Sequence, residues 1–179
     1  MTTPQNEEFT RIQGYLNAQG AKYSHSEIWE RVILSRLEFI GTLKDVNETQ
    51  SKWQPEENEW SISEIALHLL KSSRNIRNTV IRLSQNLETD IANVEPPRES
   101  TNLTIDELIT QFRNDSMEWS SSILSLPTEP PLEPTSGHSM FGELHARAWH
   151  MFQRLHDTCL LYTSPSPRDR TRSRMPSSA

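Results

Sequence analysis

Cysteine is almost missing from this chain. The one thiol, Cys159, stands late in the sequence, so residues 1–158 can build neither a disulfide framework nor a cysteine metal site. Any metal ion would need His, Asp or Glu. Long apolar runs are missing as well. No stretch approaches the roughly 20 apolar residues that cross a bilayer, and residues 1–13 lack a basic region followed by an apolar one. Both absences point to a cytoplasmic protein. Positive charge is scarce: the formal net charge is −6, and Arg168, Arg170, Arg172 and Arg174 against Asp169 give residues 159–179 a charge of +3, which leaves −9 on residues 1–158. So acidic a body repels nucleic acid and anionic membrane, and neither is an expected partner. With 34% hydrophobic residues and a mean hydropathy of −0.69, the apolar side chains must be segregated onto one side of each element. The 179 residues suit one domain with one core.

The stretch from Cys159 to Ala179 reads as foreign to the rest. Cys159 to Asp169 is what one reading frame of a common sequencing adapter encodes. Three arbitrary residues, Arg170 to Arg172, follow in the place of a barcode, and Ser173 to Ala179 match the adapter's outer segment. A native disordered tail rich in Ser, Pro and Arg is the other reading. On the adapter reading, 159–179 is non-native and disordered and is set aside for fold reasoning.

Three segments begin with the same device. Ser24-His25-Ser26-Glu27, Ser61-Ile62-Ser63-Glu64 and Thr104-Ile105-Asp106-Glu107 each place a hydroxyl three residues before a glutamate. This is the capping box, in which the hydroxyl accepts the N3 amide proton and the carboxylate returns to the cap's own amide. Apolar residues then recur at helical spacing: Ile28, Val32, Ile33, Leu37, Ile40 and Leu43 after the first box, and Ile62, Ile65, Leu69, Ile76, Val80 and Leu83 after the second. Arg74, Arg77 and Arg82 are left for solvent. The third box leads into Ile105, Leu108, Ile109, Phe112, Trp119, Ile123 and Leu126, and a fourth helix carries Phe141, Leu144, Ala148, Met151, Phe152 and Leu155. Pro96-Pro97 marks a crossover connection, and the four prolines between Pro127 and Gly137 force an extended loop. The pattern predicts an all-α fold, a four-helix bundle over 24–158, preceded by an arm over 1–23 whose Phe9, Ile12, Tyr15 and Leu16 could form a short extra helix.

The histidines are His25, His68, His138, His145, His150 and His156. No two are four residues apart, the spacing that sets two imidazoles on one helix face, and His145 and His156 stand about 16 Å apart along an axis. His68 borders the apolar stripe beside Ile65 and Leu69, as His156 does beside Phe152 and Leu155. Either fits a half-buried, hydrogen-bonded histidine or a metal ligand. Glu64 shares a face with His68 but already has a role in its capping box. His25, His138, His145 and His150 read as ordinary polar surface.

Trp53-Gln54-Pro55 followed by Glu59-Trp60-Ser61-Ile62-Ser63-Glu64 and on through His68-Leu69 resembles the opening of helix two in the DinB-like superfamily of metal-binding four-helix bundles. Phe141-Gly142-Glu143-Leu144 through Trp149 to Leu155-His156-Asp157 is similar to its last helix, so the resemblance covers roughly Ile28 to Asp157. It implies a divalent ion, Zn or Ni, held by one histidine of helix two and an HxxxH pair of the last helix. By position these are His68 and His156, and the third ligand falls at 160, which is Leu160. The resemblance implies that the intact gene encodes histidine there and that the chain as written binds metal weakly.

An ion held by three imidazoles at about 2.0–2.1 Å leaves positions open and lowers the pKa of what binds there. The implied protein is a metal-dependent hydrolase or thiol transferase that acts on a small molecule, with a low-molecular-weight thiol as a possible partner. Related bundles often pair, so a homodimer is open. A non-catalytic binding or interaction bundle is the competing expectation.

Overall fold

The computed structural model describes residues 4–54, 56, 58–89 and 96–163. Six helices are present among them: α1 (Pro4–Lys22), α2 (His25–Leu43), α3 (Glu48–Lys52), α4 (Ile62–Ser84), α5 (Ile105–Ser125) and α6 (Ala146–Thr163), with a two-stranded hairpin of β1 (Thr135–His138) and β2 (Gly142–His145). All three capping boxes form and start α2, α4 and α5. A fourth, Asn47 with Gln50, starts the short α3.

Helices α2, α4, α5 and α6 form the bundle. Helix α6 packs on α2 and α4, and α5 closes the square against the same two. Cross-helix partners give the directions. Arg36 meets Asp115 and Trp29 meets Ser120, so α2 and α5 are antiparallel. Arg74 meets Gln111 and Arg77 meets Glu118, so α4 and α5 are parallel. The connection between α4 and α5 must therefore travel back along the bundle, which is the crossover that Pro96-Pro97 predicts. It is tied down on its return: Arg98 binds Glu64, Lys71 binds Glu99, and the Lys52 ammonium donates to the Thr101 carbonyl.

The core is divided in two. One apolar cluster includes Val32, Ile76, Val80, Trp119 and Trp149, and the other includes Phe39, Ile65, Leu69, Leu108 and Phe112. Between them lies a buried polar layer. Arg36 of α2 donates to Asp115 of α5 at 2.5 Å, to Ser73 of α4 at 2.7 Å and to Asp157 of α6 at 3.3 Å, so one guanidinium touches every other bundle helix. Ser73 also donates to Asp115 and accepts from Trp119 Nε1. Arg77 adds a second cation to Asp115, while the Gln153 amide donates to Asp157. Burial disfavours the Arg36 cation, yet Asp157 and Asp115 outweigh that effect and raise its pKa. Asp157, held by the longer of the two ion pairs, has its pKa raised by burial.

Four features depart from the sequence reading. Residues 1–23 are more than an arm, because α1 is 19 residues long and its Leu16 is fully buried in the core against α6 and β2. In α2 the inward face takes Arg36, and Leu37 turns outward with 55% of its surface exposed. Phe141 and Leu144 sit in the hairpin segment, and α6 begins at Ala146. Their spacing imitates a helix, but Gly142 adopts a left-handed φ of +66° and the His138 imidazole accepts the Met140 and Phe141 amide protons, which makes a turn. Finally, helical backbone continues to Thr163, so residues 159–163 are ordered as the end of α6 where disorder was expected. The rest of the expected tail, 164–179, lies outside the described residues.

Candidate metal centre

His68 and His156 come from helices of opposite direction, 88 positions apart in sequence, and their ring centroids are 5.4 Å apart. They lie toward the end where α4 begins and α6 finishes. His156 is buried and His68 half-buried. The His68 Nδ1 is 3.0 Å from the Pro96 carbonyl oxygen, which can only accept, so Nδ1 carries a proton and donates it there. The crossover segment thereby orients the ring of a helix residue. Aromatic walls hold both rings, with Trp60 edge-on to His68 at 5.1 Å and Phe152 beside His156 at 5.5 Å.

Because α6 runs through Thr163, position 160 lies one helical turn past His156 on the same side. It holds leucine, which has no lone pair to give. Among the described residues no group of three or more His, Cys, Asp or Glu is arranged to hold an ion. The donors present therefore fit a resident metal incompletely: two imidazoles converge and a third ligand is lacking.

Glu64 serves its cap, as its position in the box suggests. Burial works against its charge, but hydrogen bonds from Arg98, from the Ser61 amide and from Gln54 prevail and hold its carboxyl down to about 2. Glu64→Ala is expected to cost about 1–2 kcal/mol at pH 7, since a cap and a charge-assisted pair go together. The folded pKa lies below the unfolded 4.5, so this stability is full above pH 4.5 and drains as pH falls toward 2. Urea titrations of both proteins should show a gap at pH 7 that narrows below pH 4.5. A gap that stays constant would contradict the assignment.

The other four histidines are core rather than ordinary polar surface: His25, His138, His145 and His150 are all at most 6% exposed. His138 stacks on Phe141 at 4.6 Å and meets Phe152 edge-on. His145 is the cap of α6, its Nδ1 accepting the Ala148 amide proton at 3.3 Å while Nε2 donates to the Asn17 carbonyl at 3.1 Å. His25 and His150 face each other, Nδ1 to Nδ1, at 3.0 Å. The one faint signal in the sequence for His150 is its setting between Trp149 and Met151.

This geometry and topology define a class, the four-helix bundle proteins. No family model matches the sequence, and no curated protein does. Among solved structures, TT2238, described as a four-helix bundle protein, matches with a TM-score of 0.59 at 17% identity over 78% of this chain and 99% of that one. At that identity the likeness concerns the fold. No helix among the described residues is long and apolar enough to cross a membrane.

Proposed function

We propose that the chain is built on the plan of a metal-dependent enzyme of DinB-like type, with His68 and His156 supplying two of the three imidazoles of a divalent site. The observation that carries this reading is the meeting of those two rings across α4 and α6, 5.4 Å between centroids, with the His68 ring oriented by its Nδ1 contact to the Pro96 carbonyl. A divalent ion such as Zn or Ni, when bound, supplies acidity to a bound water or low-molecular-weight thiol, which is the chemistry of a hydrolase or a thiol transferase. The residues present do the positioning. Pro96 orients His68, while Trp60 and Phe152 limit ring rotation and keep bulk water from one side of each imidazole.

Leu160→His in the full chain is the test. We expect that variant to take up one equivalent of Zn or Ni in equilibrium dialysis and His68→Ala on the same background to weaken uptake by about tenfold or more. No uptake by Leu160→His, or uptake indifferent to His68, would remove the reading. The leucine at 160 favours a second reading for the chain as written, a bundle that binds a partner without an ion. A thermal midpoint indifferent to both added metal and EDTA in Leu160→His, with no turnover of thiol acceptors, would favour it.

A further inference from the structure

Glu64, His68 and Lys71 lie one turn apart along α4 and share one side of it, and the returning crossover lies across that side. Each of the three holds one crossover residue. Arg98 donates to both carboxylate oxygens of Glu64 at 3.1 Å, the Pro96 carbonyl lies 3.0 Å from His68 Nδ1, and the Lys71 ammonium meets Glu99 at 2.5 Å. The two ion pairs differ in weight. Lys71 and Glu99 are 36% and 47% exposed, so water screens that pair. Glu64 is buried and Arg98 half-buried, and the guanidinium engages the carboxylate through two nitrogens while donating to the Glu59 carbonyl at 2.9 Å. Arg98 is the firmer anchor.

We propose that Arg98 is a positioning residue for His68: anchored on Glu64, it seats residues 96–99 so that the Pro96 carbonyl fixes which edge of the imidazole faces the crossover. The path between them is short and stiff. Pro97 has a fixed φ and confines the residue before it to extended backbone, so the direction of the Pro96 carbonyl follows from where Arg98 is held. That carbonyl decides what packing leaves open. Half a turn of the imidazole about its bond to Cβ exchanges nitrogen for carbon with little change of shape, and the Trp60 ring, edge-on at 5.1 Å, has no acceptor for an N–H. A carbonyl accepts from Nδ1 and selects one form. Glu64 thus serves twice, as the cap of α4 and as the anchor of this relay. The consequence for metal rests on the proposed His68–His156 site: an ion would meet a ring already set, and loosening Arg98 would weaken uptake without removing a ligand. The orientation of the ring stands apart from that site.

Nitrogen-15 spectra of the imidazoles in the full metal-free chain test the relay. Wild type should give one slowly exchanging Nδ1–H signal for His68. In Arg98→Met the cap survives, because Glu64 keeps the Ser61 amide and Gln54, yet exchange of that proton should quicken about tenfold. Arg98→Lys keeps the charge and should restore part of the protection. Lys52→Met unpins the same crossover at the Thr101 carbonyl, away from Arg98, and should leave the signal as in wild type. In the Leu160→His background Arg98→Met should weaken zinc binding about tenfold, and Lys52→Met should not. An Arg98→Met signal indistinguishable from wild type overturns the proposal. So does an equal quickening in Lys52→Met, or zinc affinity unmoved by Arg98→Met in a Leu160→His chain that binds zinc. No zinc binding by Leu160→His removes the metal reading alone, since exchange of the His68 proton is measured without the ion.

Discussion

Arg36→Met is expected to lower stability by about 3–5 kcal/mol, because removing one partner of a buried ion pair strands the others. Methionine matches the length of the stem and fills most of its space, so the loss measures charge more than volume. Two carboxylates lose a partner, and not equally. Asp115 keeps Arg77 and the Ser73 hydroxyl, whereas Asp157 keeps only the Gln153 amide. Asp157 is also the one whose pKa burial already raises, and without Arg36 to oppose burial its pKa should rise further in the variant. Asp157→Asn in the wild-type background should then cost less than Asp115→Asn, and Arg36→Met with Asp157→Asn should recover part of the single-variant loss. Denaturant unfolding of the four proteins gives the order. A loss for Arg36→Met below about 1 kcal/mol would mean the layer is wet and behaves as a surface pair.

Where the sequence could be read and where it could not divides along one line. Interactions that close within four residues were legible. Each capping box names its own partners, so the starts of α2, α4 and α5 follow from Ser24, Ser61 and Thr104 alone. The proline clusters likewise mark the crossover and the end of α5. Features decided by distant partners were hidden. Arg36 and Leu37 are adjacent, and a stripe drawn by hydropathy prefers Leu37; only Asp115 and Asp157, far along the chain, make the arginine the better inward choice.

The same limit covers the histidines. His68 and His156 look alike in sequence to any histidine flanking an apolar stripe, and their meeting depends on α4 and α6 being neighbours. His25 and His150 carry no local sign of burial, because each partner lies on another helix. From Phe141 the spacing of Phe141 and Leu144 imitates a helix, yet the Gly142 backbone and the His138 side chain make residues 142–145 the second strand of a hairpin.

Trp119→Ala is the second large loss, about 3–5 kcal/mol for a large aromatic side chain removed from a packed interior. The ring is fully buried, stacked at 5.7 Å on Trp29 and 4.8 Å on His150, and its Nε1 donates to Ser73 at 2.9 Å. Trp119 thus touches both the polar layer and the buried His25–His150 pair, and two substitutions separate its roles. Trp119→Phe keeps a ring against His150 and loses the hydrogen bond, while Ser73 keeps Arg36 and Asp115; its cost should be about 1–2 kcal/mol. Trp119→Ala does more, because a cavity beside His150 admits water and weakens the burial that chiefly lowers its pKa. The folded pKa then moves back toward 6.5, the stability lost on acidification shrinks, and the deficit of Trp119→Ala against wild type should be widest at pH 7 and narrower at pH 5. Unfolding curves at the two pH values decide it. A deficit that widens in acid would show that His150 owes its neutrality to something other than the tryptophan that covers it.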